Sequence, residues 1–209
     1  MNALIIVDIQ NDFLPGGKLP VSYGDEIIPL VNDLQNMFNL VVATQDWHPK
    51  NHKSFASNHE GKKPFEEIFL NGLEQVLWPD HCIQSSVGSQ FHNNLNMDKV
   101  ECIFRKGMDP DIDSYSGFYD NGYKKKTGLA GYLRERKIQN VYVCGLAADY
   151  CVFYTAKDSL KESFKTYIIE DATRAIDNKN FELAKDEIIS SGGQVIKSRF
   201  LYQQNEKLP

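Results

Sequence analysis

The 209-residue chain has the composition of an ordinary globular protein, with 42% hydrophobic and 24% charged residues, and it is long enough to bury a sizeable core in one domain. Its formal net charge of -5 indicates no basic surface for nucleic acid or an anionic membrane, and the one basic cluster, at 124–126, is short. No apolar stretch approaches the about 20 residues that span a bilayer, so we do not expect an integral membrane protein.

We expect the protein to be cytoplasmic. The opening stretch MNALIIVDIQNDF has a short apolar core but neither a basic n-region nor a small-residue cleavage site, which argues against an export signal. The four cysteines, Cys82, Cys102, Cys144 and Cys151, would then lie in a reducing compartment, where structural disulfides are rare.

Short β-branched runs alternate with helix-like stretches along most of the chain. In chain order the predicted elements are strand 3–8, helix 24–38, strand 40–46, strand 100–106, helix 128–137, strand 141–147, helix 149–164, strand 166–171, helix 179–193 and strand 193–196. The strand runs are continuously apolar, as in strands covered on both faces. This order favours a doubly wound α/β fold with a mainly parallel sheet and helices on both faces, in a single domain spanning 1–209.

Two segments, 46–98 and 107–126, interrupt this alternation and are richer in Pro, Gly, Asn, His and aromatic residues. Long irregular segments inside a compact domain are usually functional, and ligands of open α/β sheets bind beyond the carboxyl ends of the strands. Three of the predicted strands have a polar residue at their carboxyl end, and a cysteine follows a fourth strand. These residues are Asp8, Asp46, Lys106 and Cys151.

Cys151 follows a strand and a run of small residues and falls in the first turn of the predicted helix 149–164. Free N–H groups and the helix dipole favour a thiolate there, as in a nucleophile elbow. Each residue also has an ordinary structural explanation when it is taken alone. Cys151 could be a small core residue, Asp8 could cap a turn, and Lys106 could be a surface charge. Together, the three residues are suited to acyl transfer. The carboxylate can accept the thiol proton, the ammonium can stabilise the thiolate, and the amides at the helix start can bind an oxyanion.

A second cluster of polar residues lies in TQDWHPKNHKSF and WPDHC. Asp46 and His48 are one residue apart and can point to the same side of an extended segment, and His81 could complete the set from the later loop. Two imidazoles and one carboxylate match an open Zn²⁺, Fe²⁺ or Mn²⁺ site. Most isolated D-x-H pairs bind nothing, so both readings stay open from the spacing alone.

The stretches IIVDIQNDF, TQDWHPKNHKSFA, LWPDHC, FRKGMDPDIDSYSGFYDN and VCGLAADYCVFYTA together resemble the nicotinamidase branch of the isochorismatase-like cysteine hydrolases. The resemblance implies a catalytic triad of Asp8, Lys106 and Cys151. It also implies a cis peptide between Leu146 and Ala147, with the N–H groups of Ala147 and Cys151 forming the oxyanion hole.

The same resemblance implies one divalent metal ion, with zinc expected and iron or manganese as alternatives. The implied metal ligands are Asp46, His48 and His81. Some relatives place a further metal-binding histidine six residues after the first, but Ser54 occupies that position here. We therefore expect neither His52 nor His59 to be a direct ligand, and we expect His52 to support the loop.

The implied activity is hydrolysis of nicotinamide to nicotinate and ammonia through a thioester on Cys151, in NAD salvage, with pyrazinamide as a second substrate. The ring nitrogen would dock on the metal, which would orient the ring. The residues implied to line the pocket are Phe13, Leu19, Trp78, Tyr115 and Leu146. Trp78 and Tyr115 also fit an ordinary core role.

Other functions remain open at this point. They are hydrolysis of another small amide by a member of the same superfamily, and a non-catalytic isochorismatase-like binding domain. A nucleotide-binding protein is disfavoured, because no G-x-G-x-x-G follows the first strand. A homo-oligomer is compatible with the sequence, and the tail SRFLYQQNEKLP could pack on the sheet edge, join an interface or fray.

Overall fold

Six parallel strands form the central sheet in a computed structural model, which describes residues 1–205. In chain order the elements are β1 (Asn2–Val7), α1 (Ile28–Leu34), β2 (Leu40–Asp46), β3 (Glu67–Leu70), β4 (Leu73–Val76), β5 (Val100–Lys106), α2 (Leu129–Glu135), β6 (Asn140–Leu146), α3 (Phe153–Lys161), β7 (Lys165–Arg174), α4 (Asn178–Ser190), β8 (Gln194–Ile196) and α5 (Ser198–Asn205).

The strands of the sheet lie in the order β5-β2-β1-β6-β7-β8, and every neighbouring pair is parallel. The chain leaves β1 toward β2 and β5 and then returns to place β6 on the other side of β1. This reversal creates a topological switch point between β1 and β6, where open α/β sheets bind their ligands. The predicted fold class is confirmed.

Alternate side chains of β1 enter two separate hydrophobic cores. Ala3, Ile5 and Val7 pack in the core that includes residues of α2, α3 and α4. Leu4 and Ile6 pack in the core that includes residues of α1 and α5. All five side chains are fully buried, which explains why the strand is continuously apolar rather than alternating.

The predicted helix 24–38 is correct in position but not in type. Its ends are 3-10 turns at Gly24–Ile27 and Gln35–Met37, and only α1 between them is α-helical. Pro29 lies in the first turn of α1, where its missing N–H is tolerated, whereas a longer α-helix would place it in the interior. The change from the 3-10 turn to α1 therefore falls just before this proline, between Ile27 and Ile28.

The hairpin formed by β3 and β4 was not predicted and lies inside the irregular segment 46–98. The two strands are antiparallel and are joined by Asn71 and Gly72, with φ of 52° and 84°. Asn-Gly is the usual sequence of a two-residue hairpin turn, because both positions need positive φ. The sequence thus contained a signal for this hairpin.

The C-terminal stretch 198–209 is described as far as α5. Leu201 is buried in the same core as residues of α1, and the Tyr202 hydroxyl donates to Asp33. Of the alternatives for the tail, packing on the fold therefore holds for its helical part, while 206–209 lie outside the described residues. None of the described helices is long and apolar enough to cross a membrane.

Candidate active site

Four polar residues lie together where β5, β2, β1 and β6 end. Lys106 Nζ is 2.8 Å from Asp8 Oδ2 and 3.3 Å from Cys151 Sγ, and it also contacts Asp46 Oδ1. The other carboxylate oxygen of Asp8 accepts a hydrogen bond of 2.6 Å from Thr44 Oγ1. All four residues are buried, so the structure brings the predicted triad together in a site shielded from water.

The charges of this cluster depend on one another. Burial alone would lower the pKa of Lys106, but Asp46 and Asp8 raise that pKa well above its ordinary value, so the side chain is an ammonium. Burial would raise the pKa of Asp46, but Lys106 holds it well below its usual range. For Asp8 burial outweighs Lys106, and its pKa is raised.

Burial favours the thiol form of Cys151 over the thiolate. Burial raises the pKa of Cys151 well above its ordinary value, and the opposing effect of Lys106 is too small to reverse this. This direction opposes the expected effect of the helix start, because burial removes the water that would stabilise a thiolate. Nucleophilic attack then needs a base.

The helix that carries Cys151 does not begin as an α-helix at Asp149. Residues Ala148–Val152 form a π-helical turn, and α3 begins at Phe153. The Ala147 carbonyl accepts from the N–H groups of Tyr150 at 3.2 Å and Val152 at 3.1 Å. Such wide turns are rare and occur often at functional sites.

The turn before Cys151 contains the cis peptide that the resemblance implied, between Leu146 and Ala147. Gly145 precedes it with a φ of +112°, and a Cβ at this position would lie 2.1 Å from the Val7 carbonyl oxygen. Only glycine permits this close approach of β6 to β1. Within residues 1–205 no protein group accepts from the Ala147 N–H, so this donor is free to bind an oxyanion.

The three residues expected to bind metal also lie together. Ligand atoms of Asp46, His48 and His81 are all within 4.8 Å of one another. His81 donates from Nδ1 to the Pro79 carbonyl at 2.8 Å, which leaves Nε2 to face Asp46 Oδ2 at 3.7 Å. His48 Nδ1 is buried with no partner among the described residues. A hydrogen bond to the second ring nitrogen is the usual support of a metal-binding histidine.

His52 lies beside this group, and its Nε2 is buried with no partner among the described residues. With His48 and Asp113 it forms a second set of possible ligand atoms that lie within 4.8 Å of one another. The Ser54 N–H donates to His52 Nδ1 at 3.1 Å, so the neutral ring carries its proton on Nε2. Burial lowers the pKa of His52 to about 4, which keeps the ring neutral. His59 Nε2 instead donates to the Lys53 carbonyl at 2.7 Å. The expectation that neither histidine is a direct ligand stays a prediction.

The balance of buried charge also fits a divalent cation. Asp113 is buried, accepts from Gln75 Nε2 at 3.0 Å and lies 3.4 Å from His48 Nε2. Although burial would raise the pKa of Asp113, the hydrogen bond with His48 holds it well below its usual range. Asp8, Asp46 and Asp113 are thus three buried carboxylates in one cluster. Among the described residues, Lys106 is the only lysine or arginine that forms a salt bridge with any of them. A bound cation would offset negative charge of these carboxylates.

A pocket lined largely by apolar and aromatic side chains opens onto the nucleophile. Its lining residues are Phe13, Leu19, Asp46, Trp78, His81, Asp113, Tyr115, Ala147, Tyr150, Cys151 and Ile176. Trp78 Nε1 donates to the Tyr115 hydroxyl at 3.2 Å, and both rings stand edge-on to Tyr150. The aromatic walls are therefore fixed relative to one another.

Four of the five predicted pocket residues line this pocket, but Leu146 does not. Its side chain is fully buried and points into the core, where a Cβ on Gly24 would lie 3.2 Å from it. Sequence reasoning missed Tyr150, Ile176 and Asp113. Tyr150 could have been found from its position directly before Cys151, whereas nothing in the sequence around Ile176 points to the pocket.

The chain is similar in sequence and in structure to known proteins. Residues 2–199 match the family model for the isochorismatase domain. A nicotinamidase of Acinetobacter baylyi is 50% identical over 198 residues, which cover 94% of this chain and 92% of the relative. The structure of a nicotinamidase and pyrazinamidase of Acinetobacter baumanii matches with a TM-score of 0.93 at 50% identity, covering 96% of this chain and 97% of that one. A pyrazinamidase of Pyrococcus horikoshii in complex with zinc matches with a TM-score of 0.77 at 40% identity, covering 94% and 98%.

The parallel α/β sheet and these matches define the chain as an isochorismatase-like hydrolase. The chain belongs to the isochorismatase family. Within that family its similarity is to nicotinamidases, with half of the aligned residues identical in the Acinetobacter relatives.

Proposed function

We propose that the protein is a metal-dependent cysteine amidohydrolase that converts nicotinamide and water to nicotinate and ammonia. The observation that carries this proposal is the position of Cys151 Sγ, 3.3 Å from an ammonium that is itself 2.8 Å from Asp8, in an aromatic-lined pocket. Similarity to nicotinamidases over most of the chain narrows the substrate to nicotinamide, and pyrazinamide fits the same pocket chemistry. The whole chain would act as one cytoplasmic domain in NAD salvage.

Asp8 is the base in this proposal. Its carboxylate and Cys151 Sγ lie within 4.8 Å of each other, and its raised pKa makes it a stronger base than an ordinary aspartate. Lys106 contacts both groups, so its ammonium stabilises the thiolate as the proton moves to Asp8. Whichever of the two groups is ionised during the proton transfer, its negative charge therefore lies beside the ammonium of Lys106.

The thiolate then attacks the amide carbon, and the N–H groups of Ala147 and Cys151 donate to the oxyanion. Collapse of the tetrahedral adduct breaks the C–N bond, and Asp8 returns its proton to the departing nitrogen, which leaves as ammonia. Asp8 next deprotonates a water molecule that attacks the thioester. Collapse of this second adduct breaks the C–S bond, and Asp8 returns its proton to Cys151. The acid product loses its own proton to solvent and leaves as nicotinate.

Asp46, His48 and His81 would hold the metal ion, with zinc, iron or manganese all suited to this ligand set. When bound, the ion supplies a Lewis acid for the aromatic ring nitrogen of the substrate. Asp46 and His81 line the same pocket as Cys151, so a ring held there presents its carboxamide near the nucleophile. Phe13, Trp78 and Tyr115 exclude water and orient the ring.

An ammonia-release assay with four amides tests this function. We expect turnover of nicotinamide and pyrazinamide, weak turnover of benzamide because it lacks the ring nitrogen, and none of N-carbamoylsarcosine. Turnover of N-carbamoylsarcosine in place of nicotinamide would support another amidase of the family. Binding of nicotinamide without release of ammonia would support a non-catalytic domain.

A further inference from the structure

The carboxylate of Asp149 connects the turn that carries Cys151 to the loop that follows β7. Asp149 lies in the π-helical turn, two residues before the nucleophile, and is 7% exposed. Its Oδ1 accepts from the Ile176 N–H at 3.0 Å, and its Oδ2 accepts from the Asp177 N–H at 2.9 Å. Because both oxygens bind consecutive backbone amides, the loop has a fixed position relative to the nucleophile turn.

The loop held by Asp149 forms part of the substrate pocket. Ile176 lines the pocket together with Cys151 and Tyr150, and its side chain is 37% exposed, which places it at the mouth. On the far side of Ile176 the Asp177 side chain accepts from the Lys179 N–H at 2.7 Å and caps α4. Ile176 thus lies between the last residue of β7 and the start of α4, with Asp149 bound to its backbone.

We propose that Ile176 is a specificity-determining residue at the pocket mouth and that Asp149 is the positioning residue that holds it there. The inference rests on the proposed amidase activity and names the substrate class more narrowly, as flat six-membered heteroaromatic carboxamides without a substituent on the edge facing the mouth. The aromatic rings of Trp78 and Tyr150, which stand edge-on to each other, line the same pocket. A branched aliphatic side chain at the mouth of a pocket with aromatic walls leaves room for a flat ring and contacts a substituent that projects toward the mouth.

Two substitutions change this arrangement in different ways. Ile176→Ala removes the wall and leaves the loop attached. Asp149→Asn keeps the size of the side chain but turns one acceptor oxygen into an NH₂ group that faces a backbone N–H, so one of the two hydrogen bonds is lost. Asp177→Ala is the matched control, because it removes the cap of α4 but keeps the backbone N–H that binds Asp149.

The experiment compares kcat/KM for nicotinamide with that for its four ring-methylated isomers in the wild type and these variants. In Ile176→Ala we expect the ratio of at least one methylated isomer to nicotinamide to rise about tenfold, the usual effect of space for one methyl group. Asp149→Asn should raise the ratio for the same isomer and increase KM for nicotinamide more than it lowers kcat. Asp177→Ala should be less stable but keep every ratio within about twofold.

Hydrogen exchange gives a readout that needs no substrate. The amides of Ile176 and Asp177 should exchange faster in Asp149→Asn than in the wild type, and exchange there should stay unchanged in Ile176→Ala. Unchanged ratios in Ile176→Ala, or the same change in Asp177→Ala as in Asp149→Asn, would overturn the inference. A wild type that releases no ammonia from nicotinamide would refute the proposed function instead, and hydrogen exchange would still decide whether Asp149 holds the loop.

Discussion

Replacing Lys106 with methionine should cost stability as well as activity. The side chain of Lys106 is fully buried and its ammonium contacts the carboxylates of Asp8 and Asp46. Removal of one partner from a buried ion pair costs about 3–5 kcal/mol, and here one removal leaves two carboxylates without their cation. The variant should therefore lose at least about 4 kcal/mol of its unfolding free energy. This is a large part of the about 5–15 kcal/mol that stabilises a typical protein. Methionine has a similar length, so little of the loss would come from a cavity.

Urea unfolding of the metal-free protein, followed by tryptophan fluorescence, measures this loss. With an m value of about 2 kcal/mol per molar urea, the midpoint at neutral pH should fall by about 2 M. Exposed Lys126 provides the matched control, since Lys126→Met should change the unfolding free energy by no more than about 0.5 kcal/mol. Ammonia release from nicotinamide should be lost in Lys106→Met and retained in the control.

The loss should depend on pH with a defined sign. In the wild type the pKa of Asp46 is lowered by Lys106, so this carboxylate adds stability above its ordinary pKa, and the contribution is lost as the pH falls. Without the ammonium, burial would raise the pKa of both Asp8 and Asp46, and each carboxylate would destabilise the fold when ionised. The deficit should therefore be largest near neutrality and shrink as the pH falls toward the ordinary carboxyl pKa.

A second substitution separates the charge effect from packing. Lys106→Met combined with Asp8→Asn should recover part of the lost stability, because one uncompensated carboxylate is removed, yet it should stay inactive. If Lys106→Met unfolded at the wild-type urea concentration, or if its deficit were the same at neutral and acidic pH, the description of this cluster as a buried ionic network would be wrong.

Three further outcomes are expected. Cys151→Ala should fold and release no ammonia above the background rate, whereas Cys144→Ala, a change in the core, should lose stability by cavity formation and keep measurable activity. Because the pKa of Cys151 is raised, its alkylation by iodoacetamide should be slow at neutral pH and faster at alkaline pH, as measured by mass spectrometry of its peptide. Fast alkylation at neutral pH would contradict a buried thiol. His81→Ala should reduce the zinc retained after dialysis to well under one ion per chain while His59→Ala retains it, and equal metal content in the two variants would remove His81 from the ligand set.

Most of the fold could be predicted because burial on both faces of a parallel sheet leaves continuously apolar strands in the sequence. The ends of β1, β2 and β5 were correct within a residue for the same reason. The hairpin of β3 and β4 was missed because its strands are short and have few buried residues, with only Gln75 buried, and the segment was judged by its loop-like composition. The Asn71-Gly72 turn was the more reliable signal.

The position of the candidate site was predictable, but its electrostatics and its walls were not. Strand ends place Asp8, Asp46 and Lys106 at one edge of the sheet whatever the side-chain packing. The protonation of Cys151 depends instead on how completely the surrounding loops bury it, which local sequence does not express. Ile176 reaches the pocket through the hydrogen bonds of Asp149, and no local pattern encodes that contact.

The sheet order has a consequence for how the protein is made. A nascent chain that has emerged as far as residue 106 contains β1, β2 and β5, but the free edge of β1 stays open until β6 pairs with it, with Asn2 beside Asn140. Long-range parallel pairing of this kind folds slowly, and an unpaired apolar edge invites aggregation. Truncated products that end before β6 would therefore be both inactive and prone to association, and enzymatic activity would report that synthesis and folding have proceeded past Cys151.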